Sequence, residues 1–131
     1  MNYFLDSSAL VKRFFIESGS RQVSELLDGR SNAIWLSELS LLEIPSAFYR
    51  RYRNREITET KLKEALDGFY SAVSAYEIVP LSSDIVAEAG GLLARFGKSS
   101  GLRSLDALHL ATLSFIGSSS WIVVSADYTM C

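Results

Sequence analysis

Four acidic residues stand out by their surroundings. Asp6 closes the apolar run Tyr3-Phe4-Leu5, and Asp127 follows Val123-Val124-Ser125-Ala126. Glu43 is embedded in Leu41-Leu42-Glu43-Ile44, and Asp106 lies among Leu105, Ala107, Leu108, Leu110 and Ala111. Carboxylates in apolar surroundings are costly without a partner. If the four converge, repulsion adds to that cost: two carboxylates about 4 Å apart repel by roughly 4 kcal/mol at an effective dielectric of about 20. A divalent cation offsets this, and an all-oxygen donor set suits hard ions such as Mg²⁺ or Mn²⁺. With one cysteine and one histidine in the chain, no Cys/His zinc set exists. The chemistry left to such a site is metal-assisted attack on a phosphodiester.

Each acid also has a local structural explanation. Asp6 is placed to cap the helix that follows it. Ser40 and Glu43 fit a Ser-x-x-Glu capping box. Asp106, at a first helical turn, is favoured by the helix dipole, and Asp127 suits a turn. These explanations do not exclude function, because a capping acid can also bind metal. Arg103 lies one helical turn before Asp106 and either meets a substrate phosphate or pairs with that acid. Arg50, Arg51, Arg53 and Arg55 read as a solvated helix end whose cations suit the dipole, with contact to RNA phosphates or an acidic partner as the alternative. His109 is read as packing beside an apolar helix, with a general base as the alternative.

The elements that must position these residues follow from hydrophobic pattern and turn signals. Tyr3–Leu5, Ala33–Leu36, Glu77–Val79 and Trp121–Val124 read as strands. Helices are expected over Ala9–Ile16, opened by Ser7 or Ser8, and over Arg21–Leu27. Further helices are expected over Leu41–Tyr52, from Thr58 to Tyr76, from Ser83 or Asp84 to near Gly97, and over Arg103–Phe115. Lys98–Gly101 and Gly117–Ser120 have loop composition. Pro45, in the second turn of its helix, predicts a kink or a later start. Strands alternating with helix pairs imply a parallel sheet covered on both faces. In such sheets ligands bind beyond the carboxyl ends of the strands, where Asp6 and Asp127 fall.

The 131 residues fit one domain, and 48% apolar content is enough for a core. A net charge of −2 is not the profile of a protein that binds nucleic acid by bulk charge, so any positive charge for that purpose must be local or carried by metal. The lone thiol, Cys131, fits a reducing compartment. The first residues lack a basic, apolar leader, and no apolar run approaches a bilayer span. A cytoplasmic protein with no membrane association is expected.

Four segments resemble one family in order and spacing. Phe4-Leu5-Asp6-Ser7-Ser8-Ala9-Leu10-Val11-Lys12 resembles the opening of PIN-domain proteins, in particular the VapC-type toxins of toxin–antitoxin modules. Ser37-Glu38-Leu39-Ser40-Leu41-Leu42-Glu43 resembles their second motif, Leu102 to Ala111 their third, and Val123-Val124-Ser125-Ala126-Asp127 their fourth. The third is the most specific. The resemblance implies a PIN-like three-layer α/β/α sandwich with a central parallel sheet of about four to five strands. It implies a Mg²⁺- or Mn²⁺-dependent endoribonuclease in which Asp6, Glu43, Asp106 and Asp127 are the catalytic and metal-binding acids. Asp6 and Asp106 are the expected main ligands, and metal-activated water is expected to leave a 5′-phosphate and a 3′-hydroxyl. Ser125 matches a Ser/Thr near the family's metal site and, with Arg103, is assigned to substrate binding. Implied partners are RNA, a small cognate antitoxin and a second copy of the chain in a homodimer. The chain is expected to be a single PIN domain over 1–131, shortened at its C-terminus after the fourth acidic motif. The alternative function is a catalytically inactive PIN-fold module that binds protein.

Overall fold

β-Branched and aromatic residues form four short strands: β1 (Asn2–Leu5), β2 (Ala33–Ser37), β3 (Glu77–Val79) and β4 (Trp121–Val124). All pair in parallel, in the order β3-β2-β1-β4. Between them run α1 (Ser7–Val11), α2 (Ser20–Leu27), α3 (Ser40–Arg53), α4 (Glu59–Ala72), α5 (Ser83–Ser100) and α6 (Ser104–Ile116). This computed structural model describes residues 1–15, 19–29, 31–116 and 121–125. The expected C-terminal motif residue Asp127 and the expected turn Gly117–Ser120 lie outside the described residues.

Strand alternation divides the core into two layers. On one face Leu5, Ile34 and Leu36 join Val23 of α2, Ile44 and Phe48 of α3, and Leu62 and Phe69 of α4. On the other, Val79 and Trp35 pack with Ile85 and Ala89 of α5 and Ala107 and Ala111 of α6. Phe4 points to this second layer, where its ring meets that of His109 edge-on. The strand order explains the division. From β1 to β2 to β3 the chain steps one way across the sheet, and right-handed crossovers put α1–α4 on one face. The return from β3 past β1 to β4 reverses the step, so α5 and α6 cover the opposite face. The expected three-layer α/β/α architecture with a four-stranded parallel sheet is what the chain adopts. β1 and β4 are then neighbours served from opposite faces, the arrangement that opens a crevice at their carboxyl ends.

Helix ends differ from expectation in instructive ways. Of the two capping readings, that of Asp6 holds and that of Ser7 or Ser8 does not: Asp6 is the N-cap of α1, its side chain accepting from the Ala9 N–H. α1 also stops at Val11 rather than Ile16. Lys12, Arg13 and Phe14 then bond three residues back, to Ala9, Leu10 and Val11, which tightens the backbone. That turn delivers Phe14 and Phe15 edge-on to Phe48, with centroids 5.4 and 5.3 Å away. α3 starts at Ser40 and continues through buried Pro45, so the later start does not occur. Thr58 caps α4 as expected, accepting from the Lys61 N–H at 3.1 Å. α5 runs past Gly97 and the Lys98–Ser100 segment to Ser100. It stops only at Gly101, whose φ of 64° is the left-handed conformation that glycine adopts readily. Among the described residues no helix is long and apolar enough to cross a membrane.

Candidate active site

Asp6 follows β1 directly. Its N–H donates to the Val124 carbonyl at 3.1 Å, which extends the β1–β4 pairing and brings Ser125 alongside. Asp6 is 3% exposed. Its Oδ1 accepts from the Ala9 N–H at 2.9 Å and the Ser8 hydroxyl at 2.7 Å, and its Oδ2 accepts from Ser125 Oγ at 2.5 Å. Asp6 is therefore both a helix cap and a carboxylate held by donors on two elements.

Glu43 comes from the first turn of α3, but the capping-box reading fails. The N-cap of α3 is Leu39 and carries no side-chain cap bond. Glu43 Oε1 instead accepts from Ser7 Oγ at 2.7 Å and from His109 Nε2 at 2.5 Å. Burial pushes the Glu43 pKa up, but the hydrogen bonds from His109 and Ser7 and the nearby imidazole outweigh it and leave the group below its ordinary value. An ionised carboxylate only accepts, so His109 carries its proton on Nε2. Ser7 gives its single proton to Glu43 and accepts the hydroxyl of Ser40, 2.9 Å away. Buried His109 finds no partner for Nδ1 among the described residues. Its side chain is therefore a positioning group for Glu43, which the packing reading did not anticipate. The signal was available, since His109 lies three residues after Asp106, on the same helix face.

Asp106 sits in the first turn of α6 and is 6% exposed. The Arg103 Nε lies 3.6 Å from its Oδ2, and the Arg103 side chain is largely exposed. The pair thus joins a buried carboxylate to a cation on the surface.

Asp6, Glu43 and Asp106 all line one cleft of about 530 Å³, together with Ser7, Ser8, His109 and Arg103. From α3 the cleft also receives Arg50 and Arg51, which were read as a solvated helix end. Arg51 is half-buried, its guanidinium 4.2 Å from the centre of the Phe15 ring. The acids are the more buried groups, and Arg50 and Arg103 are exposed. That is an arrangement for a cation within and a phosphate at the mouth.

The donor chemistry suits a hard divalent ion: carboxylate and hydroxyl oxygens, no thiolate, and a Glu43 Oε2 that takes no hydrogen bond among the described residues. Among the described residues no three His, Cys, Asp or Glu side chains are close enough to form a ready-made metal cluster. Asp127 is not among them.

The profile of the PIN domain family matches residues 3–130. The chain belongs to the PIN-domain family. Ribonuclease VapC45 of Mycobacterium tuberculosis is 32% identical to this PIN domain over 124 residues, 95% of this chain and 83% of that protein. Two solved structures share the fold. VapC20 of Mycobacterium tuberculosis, described as a Sarcin-Ricin loop cleaving toxin, superposes with a TM-score of 0.70 at 15% identity, covering 97% of this chain and 92% of that one. FitAcB from Neisseria gonorrhoeae gives a TM-score of 0.71 at 16% identity, covering 98% and 90%. The PIN domain's acidic cleft thus lies at the carboxyl ends of β1 and β4, where its topology opens a crevice.

Proposed function

We propose that this chain is a Mg²⁺- or Mn²⁺-dependent endoribonuclease and the toxin of a type II toxin–antitoxin pair. The observation that carries the reading is the gathering of Asp6, Glu43 and Asp106, distant in sequence, around one cleft. Asp6 and Asp106 would hold the ion, and Glu43 and Asp127 would complete the site. When bound, the ion would lower the pKa of a water and stabilise charge on the scissile phosphate and leaving oxygen. The chain's own residues do the positioning. Ser8, the Ala9 N–H and Ser125 fix the Asp6 carboxylate, and Ser7 and His109 fix that of Glu43. Arg103, with Arg50 and Arg51, meets the RNA phosphate at the cleft mouth. Ser125 acts through Asp6 in this arrangement, which makes it a positioning residue. A small antitoxin and a second copy of the chain are the proposed protein partners, on the strength of the kinship with VapC proteins.

Asp6→Asn tests the assignment cleanly, because asparagine caps a helix as well as aspartate does. The variant should melt like the wild type and lose Mg²⁺-dependent cleavage of a fluorogenic RNA. Cleavage at the wild-type rate sinks the assignment. The second reading, an inactive PIN-fold protein-binding module, draws on the lack of a ready-made acidic cluster among the described residues. It predicts that the wild type itself shows no Mg²⁺-dependent cleavage.

A further inference from the structure

Two hollows share one helix. The acidic cleft takes Arg50 and Arg51 from α3, and a second hollow of about 430 Å³ opens where α3 ends, lined by Tyr52, Arg53, Arg55, Glu56, Ile57 and Thr58. Arg53 lies one turn beyond Arg50, so the two cations stand on one side of α3 and link the hollows. Arg50, Arg53 and Arg55 are exposed and make no ion pair among the described residues, and Tyr52 is 41% exposed. Arg50, Arg51, Arg53 and Arg55 are four of the chain's 13 Lys and Arg, in a molecule of net charge −2. This is the local concentration of positive charge that a polyanion would need here.

The backbone adds an independent observation. α3 ends with the Glu56 N–H on the Arg51 carbonyl at 2.9 Å and the Arg55 N–H on the Tyr52 carbonyl at 3.0 Å. That pattern is a Schellman motif, and its left-handed position is commonly glycine. Here Arg55 occupies it at φ 59°, the one positive-φ non-glycine residue among those described. A long cation is thus held in a disfavoured conformation beside a hollow that already presents an arginine and an aromatic ring. Strain of this kind gathers at ligand clamps.

We propose that the second hollow is a subsite for the single-stranded RNA flanking the bond cut in the acidic cleft. Arg53 and Arg55 contact backbone phosphates, and Tyr52 stacks on a base. The exposed ring favours a nucleic acid over an acidic protein segment, because bases offer a π-face to stack on. This inference rests on the ribonuclease reading.

The test is fluorescence anisotropy with a short unstructured oligoribonucleotide in EDTA, over a range of salt, on the full chain and on Arg55→Gly, Arg55→Lys and Tyr52→Ala. Thermal melts run alongside. Arg55→Gly should melt no lower than the wild type, since glycine relieves the backbone. Its Kd should rise about tenfold, and its salt slope should fall by roughly 0.7, the value for one lost phosphate contact on a single strand. Arg55→Lys should bind nearly as the wild type, and Tyr52→Ala should lose about tenfold with its salt slope unchanged. RNA binding by Arg55→Gly and Tyr52→Ala equal to wild type overturns the subsite. So does a loss confined to a polyglutamate peptide, or one that tracks a lowered melting temperature. Wild-type cleavage with unaltered variant binding removes the subsite alone. Failure of cleavage with the expected binding pattern removes the nuclease reading and leaves the RNA contact standing.

Discussion

Glu43 and His109 show how much one contact between elements decides. In isolation Glu43 belongs to a Ser-x-x-Glu motif, and His109 is a lone histidine on an apolar helix. Together they form a half-buried pair that also recruits Ser7. The linkage has a definite sign. The folded Glu43 pKa lies below its ordinary 4.5, so the contribution is fully present above that pH and is lost as pH falls through the lower folded value. In EDTA, the excess melting temperature of the wild type over Glu43→Gln should therefore shrink as the buffer is taken from neutral into the acid range below 4.5. A difference that stays constant with pH would show that the carboxylate is not held this way. His109→Ala should move the same acid transition toward ordinary glutamate behaviour, because it removes the strongest hydrogen bond that lowers the Glu43 pKa.

At the scale of elements, α3 does two jobs on two faces. Glu43, Ala47, Arg50 and Arg51 reach the cleft, while Ile44 and Phe48 are fully buried against the sheet layer. Phe48 meets Phe14, Phe15 and Phe69 edge-on, with centroids 5.3 to 6.4 Å away. This aromatic group fixes α3 relative to α1 and α4. Phe48→Ala should cost about 3–5 kcal/mol in urea denaturation, a large share of the stability of a domain this size. A loss under about 1 kcal/mol would mean that the cluster does not anchor the helix. α5 teaches a different lesson. Gly97 and the serines after it look like a stop, yet the helix persists to Ser100 and ends only where Gly101 takes the left-handed conformation. Loop-like composition alone does not end a helix; a residue that readily takes the left-handed cap does.

At the scale of the molecule, the site exists because the crossover direction reverses between β3 and β4. The reversal puts β1 and β4 side by side and brings α6 to the face opposite α3, so that Asp6 after β1, Glu43 of α3 and Asp106 of α6 line one cleft. A gathering of acids of this kind should respond to a dication as a whole. Mn²⁺ at about 100 times its Kd should stabilise the fold by roughly 2.7 kcal/mol, seen as a rise in melting temperature. Asp6→Asn and Asp106→Asn should each abolish most of that rise without lowering the metal-free melting temperature by a comparable amount. A wild type whose melting temperature ignores Mn²⁺ and Mg²⁺ would favour the inactive binding module.

The chain's own order of residues determined the alternation of strands and helix pairs, the parallel sheet and the placement of Asp6 at a strand's carboxyl end. These depend on hydrophobic period and short-range steric rules that operate within a few residues. It also marked Glu43 and Asp106, because a carboxylate in an apolar run is costly wherever the run folds. Tertiary structure alone decided that Glu43 bonds to Ser7 and His109 instead of closing a capping box, and that Arg50 and Arg51 turn into the cleft. Each of these depends on which faces of distant helices meet, and helix-face contacts are set by packing across the sheet rather than by spacing along the chain.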